Sequence, residues 1–104
     1  MKNAEALLSV KFTSAFSPEM LMNIFKSDVE TFRNVPGLIQ KYFATEEHKG
    51  AVSGIYLFES KSARAAFWTS ELARRIPARY GLIPGTLRVE QYDMAIKLND
   101  GVLA

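Results

Sequence analysis

Hydrophobic and polar residues alternate over about residues 6–16, a period of two that is typical of a β-strand with one buried face, and periodicity and chain breakers predict three further stretches of strand. In the first stretch, Leu8, Val10 and Phe12 alternate with polar residues. A polar loop over residues 46–50 separates the second and third stretches, so these two strands should form a hairpin. The predicted strands cover about residues 6–16, 38–45, 52–59 and 86–98, and residues 99–104 should be a loose tail.

A helix is predicted between the first two strands. Ser17 and Pro18 suit an N-cap followed by proline at the first helical position, and the helix should end near Arg33, before Val35-Pro36-Gly37. Its apolar residues recur every three or four positions and should form one packing stripe. That stripe consists of Leu21, Met22, Ile24, Phe25, Val29 and Phe32.

A second helix is predicted after the third strand. Ser60 or Ser62 can cap it, and Pro77 should end it after Ile76. A basic group near its end, Arg74, Arg75 and Arg79, is explained by the helix dipole alone. The stripe expected to pack on the sheet consists of Trp68, Leu72 and Ile76.

The order β-α-β-β-α-β is the α+β ferredoxin-like arrangement, in which a four-stranded antiparallel sheet carries two helices on one face. A chain of 104 residues suits one domain, and we expect residues 1–104 to form it. The other face of the sheet remains uncovered. Its partner should be RNA, a second copy of the sheet or another protein.

The composition limits the classes of partner and of chemistry that we expect. A net charge of +2, with basic residues spread along the chain, gives no clear electrostatic footprint for nucleic acid. The chain has no cysteine and a single histidine, His48, so a metal site is poorly supported. No apolar run approaches the roughly 20 residues of a membrane span, and no signal peptide is recognisable. We therefore expect a soluble, cytoplasmic protein without a membrane partner.

The segment KGAVSGIYLF, residues 49–58, tests the nucleic-acid alternative. Only Lys49, Gly50 and Tyr56 match the strand with which RNA-recognition motifs stack bases. Small or aliphatic residues stand where the other stacking rings belong, and the first strand offers no ring to pair with them. We therefore predict no nucleic-acid partner.

The chain resembles the YdhR-type putative mono-oxygenases, which belong to the dimeric α+β barrel superfamily together with the antibiotic-biosynthesis mono-oxygenases. The resemblance extends from Leu7 to about Asp93. Family members commonly have tryptophan and a second glycine where this chain has Gln40 and Ser53. The segments that carry the resemblance are Val35-Pro36-Gly37-Leu38-Ile39-Gln40-Lys41-Tyr42-Phe43, Ser53-Gly54-Ile55-Tyr56-Leu57-Phe58 and the alanine-rich helix after them.

The resemblance implies a homodimer formed through the open sheet face, with a small-molecule pocket between the sheet and the helices of each subunit. It also implies oxygenation of a small aromatic or polyketide-like substrate with O₂, without a metal or flavin cofactor. Two alternatives stay open, since a fold does not determine chemistry. One is a non-catalytic, dimeric ligand-binding or regulatory domain, and the other is a small isomerase or decarboxylase.

A pocket in this arrangement would have Tyr56 and Gly54 as its floor, because they lie on one face of a central strand. Trp68 from the second helix and Phe25 or Val29 from the first would form its walls. In the alternative interpretation, these side chains simply fill the core.

Lys41 lies on an apolar strand, where a lysine is costly unless it is paired. It is either an ion-pair partner at the dimer interface or a cationic site for a substrate oxyanion. Lys11 has the same two interpretations. His48, in the polar loop, is expected to be a solvated turn residue, although its ordinary pKa suits proton transfer.

Overall fold

The computed structural model of the protein describes residues 3–46 and 51–95. Within these ranges no helix is long and apolar enough to cross a bilayer. The elements are β1 (Ala6–Thr13), α1 (Pro18–Arg33), β2 (Leu38–Thr45), β3 (Ala51–Phe58), α2 (Lys61–Trp68), α3 (Glu71–Arg79) and β4 (Arg88–Asp93).

The strands form one antiparallel sheet in the order β2-β3-β1-β4. In its centre Leu8 of β1 lies opposite Tyr56 of β3 on one side and Gln91 of β4 on the other. β2 pairs with β3, which confirms the predicted hairpin, although its loop at residues 47–50 lies outside the described residues. The arrangement confirms the ferredoxin-like fold, with one helix more than predicted.

The core lies between the sheet and the helices and is rich in aromatic rings. Leu8, Val10 and Phe12 face inward as their alternation predicts, and each is at most 3% exposed. Large rings bury much apolar area each and interlock edge to face or offset, so they supply most of the packing. The buried aromatic side chains are Phe12, Phe25, Phe32, Tyr56, Phe58, Phe67 and Tyr80.

Helix α1 begins at the predicted cap, where the Ser17 hydroxyl accepts a hydrogen bond from the Met20 N–H. Its predicted stripe is wrong at Met22, which is 50% exposed. Asp28, in contrast, is only 7% exposed and lies on the buried side of the helix. The other buried residues of the helix are Leu21, Phe25 and Phe32.

The second helix is interrupted, so the prediction of one continuous helix is wrong. The Thr69 hydroxyl donates to the carbonyl one turn earlier, and the Ser70 hydroxyl accepts from the N–H three residues later. These two hydroxyls end α2 and cap α3, because serine and threonine bond readily to nearby backbone groups. Ser60 caps α2. The break separates the predicted stripe into Trp68 on α2 and Leu72 and Ile76 on α3.

Pro77 lies inside α3, so the prediction that it ends the helix is also wrong. Proline removes one helical hydrogen bond and costs about 3 kcal/mol in a helix interior. The last turn is held from outside, because Arg79 and Tyr80 both donate hydrogen bonds to Asp28 on α1. These hydrogen bonds to α1 offset the tendency of Pro77 to end the helix.

Two strand boundaries differ from those predicted. β1 ends at Thr13, three residues early, because the Ser14 hydroxyl donates to the Tyr80 carbonyl and the chain follows the loop after α3. β4 begins two residues later than predicted, at Arg88. The predicted end of that strand near residue 98 and the predicted loose tail lie outside the described residues.

Gly37 joins α1 to β2 where the chain passes close to α2. Its φ of +77° is in the left-handed region that favours glycine, and a Cβ there would collide with the Ala63 Cβ. Its carbonyl accepts a hydrogen bond from the Glu59 N–H at 2.8 Å. Gly85 has a similar φ of +86°, but a Cβ there would meet no atom within 4 Å.

Replacing Gly37 with alanine should therefore destabilise the protein more than replacing Gly85. Each substitution costs roughly 1–2 kcal/mol for a left-handed alanine, and Gly37→Ala adds an overpacking cost of about 1–3 kcal/mol. Urea unfolding of both variants measures the difference. Equal losses would show that the contact with Ala63 is relieved without cost.

Candidate active site

A β-bulge in β2 determines which of its side chains face the helices. The register against β3 shifts by one residue between Leu38 and Gln40, and Lys41 then lies opposite Tyr56. Tyr56 is buried beneath the helices, so Lys41 faces them too. Without the extra residue, the pleat would place Gln40 there and turn Lys41 to the open face.

Four aromatic residues surround the Lys41 amine, and we call them the aromatic cage. The Lys41 Nζ atom lies 3.3 Å from the ring centroid of Phe32, 3.9 Å from Phe43, 4.6 Å from Tyr56 and 5.7 Å from Tyr80. Ring faces attract an ammonium group, but they replace only part of its hydration. The cage therefore favours the uncharged amine.

Burial lowers the pKa of Lys41 to about 6, and the nearby charge of Asp28 only partly opposes this effect. Among the described residues no carboxylate forms an ion pair with Lys41. At neutral pH the amine is therefore mostly uncharged. In that state it can accept a proton or attack an electrophile, which an ordinary lysine ammonium cannot do.

Asp28 is the acid nearest this site, and other groups satisfy it. The Arg79 Nε donates to its two carboxylate oxygens at 3.0 and 2.8 Å, and the Tyr80 hydroxyl donates to Oδ2 at 2.6 Å. Burial alone would raise the pKa of Asp28, but the hydrogen bonds from Arg79 and Tyr80 hold it below its usual value. The pairing also shows that the helix dipole alone does not account for Arg79.

Tyr56 forms the floor of the site together with Gly54. Tyr56 is 1% exposed, and burial raises the pKa of its phenol, which therefore stays protonated. A Cβ at Gly54 would lie 3.0 Å from the Tyr56 ring and 3.1 Å from its hydroxyl. The glycine thus lets the tyrosine ring lie along the strand, and the room predicted beside Tyr56 is taken up by its own ring.

Two cavities meet at Lys41. The outer cavity, between α1 and β2, has a volume of about 210 Å³ and is lined by Val29, Phe32, Arg33 and residues 38–41 and 43. The inner cavity, between the sheet and the helices, holds about 10 Å³, roughly one water molecule. Lys41 and Phe43 line both. Lys41 therefore stands between the core and a space that a ligand can enter.

A family model described as "Putative mono-oxygenase ydhR" matches residues 7–98, which include the whole site. The chain belongs to the YdhR family. Gln40 lines the outer cavity and Ser53 the inner one, although the register places both side chains on the open face of the sheet.

The fold recurs in solved structures of low sequence identity. A monooxygenase from the gene ActVA-Orf6 of Streptomyces coelicolor, in complex with Nanaomycin D, is 15% identical with a TM-score of 0.68, and 92% of each chain is covered. A mutant of SnoaB, a cofactor-independent oxygenase from Streptomyces nogalater, is 18% identical with a TM-score of 0.69, covering 92% of this chain and 98% of SnoaB. These identities show a shared fold only. No curated protein matches the sequence.

The structure brings most of the predicted site residues together. Trp68 lines neither cavity, and its side chain packs, partly buried, against the core. The adjacent Phe67 contacts Tyr56 instead, with ring centroids 5.0 Å apart. Val29 lines the outer cavity. The predicted site residues that line the inner cavity are Phe25, Lys41, Gly54 and Tyr56.

Phe43, Tyr80 and Asp28 were not predicted as site residues. Asp28 had a visible signal, because it stands three residues after Phe25 on the apolar stripe of α1. Tyr80 had none, since the contacts that bring it to Asp28 join residues far apart in the chain. No group of acidic or histidine residues among those described could hold a metal ion, and His48 lies outside them.

Lys41 and Lys11 lie on opposite faces of the sheet. Lys41 faces the helices, so an ion pair at the open sheet face is not available to it, whereas Lys11 is exposed on that open face, opposite Ser53. The role of Lys41 as a cationic site for a substrate oxyanion stays a prediction.

The pH dependence of stability should reveal the caged amine. Between about pH 6 and the ordinary lysine value of 10.5, the unfolded chain binds a proton at Lys41 that the folded chain does not. The free energy of unfolding should therefore rise with pH in this window, by up to about 1.4 kcal/mol per unit from this group. Lys41→Met should remove that rise and stabilise the protein at pH 7, in denaturant titrations across the window.

Lys26→Met is the matched control, because Lys26 is exposed on α1. It should keep the parent slope. An unchanged slope in Lys41→Met would contradict the burial of its amine.

Proposed function

We propose that the protein is a cofactor-independent mono-oxygenase that oxidises a small aromatic phenol with O₂. One observation carries the proposal: Lys41, whose amine lies in the aromatic cage, lines a cavity of about 210 Å³. The YdhR family supports the reaction class, and the cage supports a substrate with an aromatic ring and an acidic hydroxyl.

A phenol in the outer cavity has its ring against Phe32 and Phe43 and its hydroxyl toward the Lys41 amine. The uncharged amine takes the phenolic proton as a general base. The new ammonium then faces the phenolate, and this opposite charge raises the pKa of Lys41 again. Because the cage excludes water, the ion pair is stronger here than in solution.

The phenolate is electron-rich enough to react with O₂ directly. One oxygen atom becomes a new ring carbonyl, and the other leaves as water with the hydrogens of the attacked C–H and the phenolic O–H. Phenol and O₂ thus give quinone and water. The substrate supplies all four electrons that O₂ accepts, so the reaction needs no external reductant.

Cavity size favours the smaller of the expected substrate classes. Pockets for drug-sized ligands typically have volumes of roughly 300–1,000 Å³, and the outer cavity has about 210 Å³. A molecule of one or two fused rings suits this space. A larger polyketide-like molecule would have to displace α1 or β2.

A homodimer through the open sheet face is part of the proposal. Tyr42 is 53% exposed and Tyr92 50% exposed, and both lie on that face with Leu7, Ile55 and Leu57. Such an apolar sheet face is unusual on a monomer and suits a second copy of the same sheet. The two caged lysines would then lie on the outer sides of the paired sheets.

The activity test uses 1-naphthol, with O₂ uptake and incorporation of ¹⁸O from labelled O₂ into naphthoquinone as readouts. Lys41→Met should lower kcat/KM by about 100-fold or more, since a general base contributes roughly 10²–10⁴. In the parent, kcat/KM should rise with pH through about 6 as the pKa of Lys41 is passed, and then level off.

Lys26→Met should keep the parent rate. Full activity in Lys41→Met would contradict the proposed role of its amine. Tight binding of 1-naphthol without O₂ uptake in the parent would overturn the mono-oxygenase and favour the ligand-binding alternative.

The dimer is tested by sedimentation equilibrium at micromolar concentration, where the parent should have twice the chain mass of 11.7 kDa. Tyr42→Asp places a charge on the open face and should produce monomers. Met22→Asp, at a residue of α1 that is equally exposed at 50%, should remain dimeric. A monomeric parent protein would contradict the proposed dimeric α+β barrel.

A further inference from the structure

We propose that the Lys41 amine also forms an imine with small aromatic aldehydes and ketones that enter the outer cavity. This is a second activity of the site, with a carbonyl compound as its substrate class. It uses no O₂ and does not depend on the proposed oxygenation.

Lys41 belongs to the wall of a cavity that a carbonyl compound can enter. It lines both cavities, and the outer one has about 210 Å³ of space. The rings of Phe32 and Phe43 lie closest to the Lys41 nitrogen, which is 3.3 and 3.9 Å from their centroids. An aryl carbonyl can stack on these rings with its C=O group beside the nitrogen.

The groups around the amine do not hold it in an ion pair. Asp28, on α1, is bound by Arg79 and Tyr80. Arg33, which lines the outer cavity, is paired with Glu30 on the surface of α1. Among the described residues, therefore, no carboxylate pairs with the Lys41 amine. A desolvated lysine in an apolar pocket is the state from which imines form.

The bond changes balance without a further reagent. The nitrogen lone pair attacks the carbonyl carbon, and a proton moves from nitrogen to oxygen to give a carbinolamine. Loss of the hydroxyl as water then leaves a C=N bond. The second hydrogen of the amine leaves with the hydroxyl as this water, so the neutral imine forms without consuming another acid or base.

Uptake of a proton from solvent converts the imine into a cation. The faces of the four rings attract this cation, although burial opposes its charge as it opposes that of the ammonium. The ionised Asp28 adds a favourable charge from α1 without a direct contact. A carbonyl compound held in this way becomes an electron sink, because the positive nitrogen accepts electrons from the neighbouring carbon. This state serves proton abstraction or loss of CO₂ next to the carbonyl carbon.

Reductive trapping tests the proposal on the unmodified protein. Benzaldehyde and cyanoborohydride are added at pH 7 under argon, and peptide mapping by mass spectrometry follows benzylation of each lysine. An amine with a pKa near 6 has roughly a thousandfold more uncharged form at pH 7 than an ordinary lysine. Because a less basic amine is also a weaker nucleophile, we expect Lys41 to be labelled about 100-fold faster than Lys26.

Lys41→Met should lose the fast label while the slow labelling of Lys26 continues. Labelling of Lys41 no faster than that of Lys26 would overturn the proposal. Fast labelling by formaldehyde but not by benzaldehyde would overturn the aromatic substrate class. Because argon excludes O₂, the labelling does not depend on the proposed oxygenation. Failure of one proposal is therefore distinguishable from failure of the other.

Discussion

The ionised carboxylate of Asp28, held by Arg79 and Tyr80, is the interaction on which much of the structure depends. It fastens the first helix to the end of the third across 51 and 52 positions of the chain. It carries α3 past Pro77, and it places the Tyr80 ring in the aromatic cage. Because Arg79 satisfies the carboxylate, Lys41 forms no ion pair within the part of the chain that the structure describes. One buried acid thus organises both the packing of the helices and the state of the amine.

The fold was predictable from the sequence because its signals are local. Alternation in β1 placed Leu8, Val10 and Phe12 in the core, and Ser17 with Pro18 marked the start of α1. The motif segments then indicated the family that the match over residues 7–98 shows. Periodicity and capping act over a few residues, so a single sequence is enough to detect them.

The site was only partly predictable, because its decisive features are not local. Lys41 and Tyr56 were both predicted to bind substrate and lie opposite each other in β2 and β3, but the face they share depends on the bulge before Gln40, which alternation does not reveal. Trp68 was predicted to line the pocket because one continuous helix was expected there. The Ser70 cap starts a new helix, so Trp68 does not share a helical stripe with Leu72 and Ile76. Tyr80 reaches the cage only through Asp28, a contact between distant positions. Tertiary contacts overrode local preferences in each case.

The bulge in β2 has a consequence for how the chain tolerates changes in length. Deleting one residue between Leu38 and Gln40 would restore a regular ladder and reverse the facing of the β2 side chains after it. Strand order and composition would hardly change, yet glutamine would occupy the aromatic cage and the amine would point to the open face. The chemistry of this site therefore depends on the number of residues before Lys41 as much as on their identity. A chain with one residue fewer at that point would keep the fold but lose the lysine from the aromatic cage.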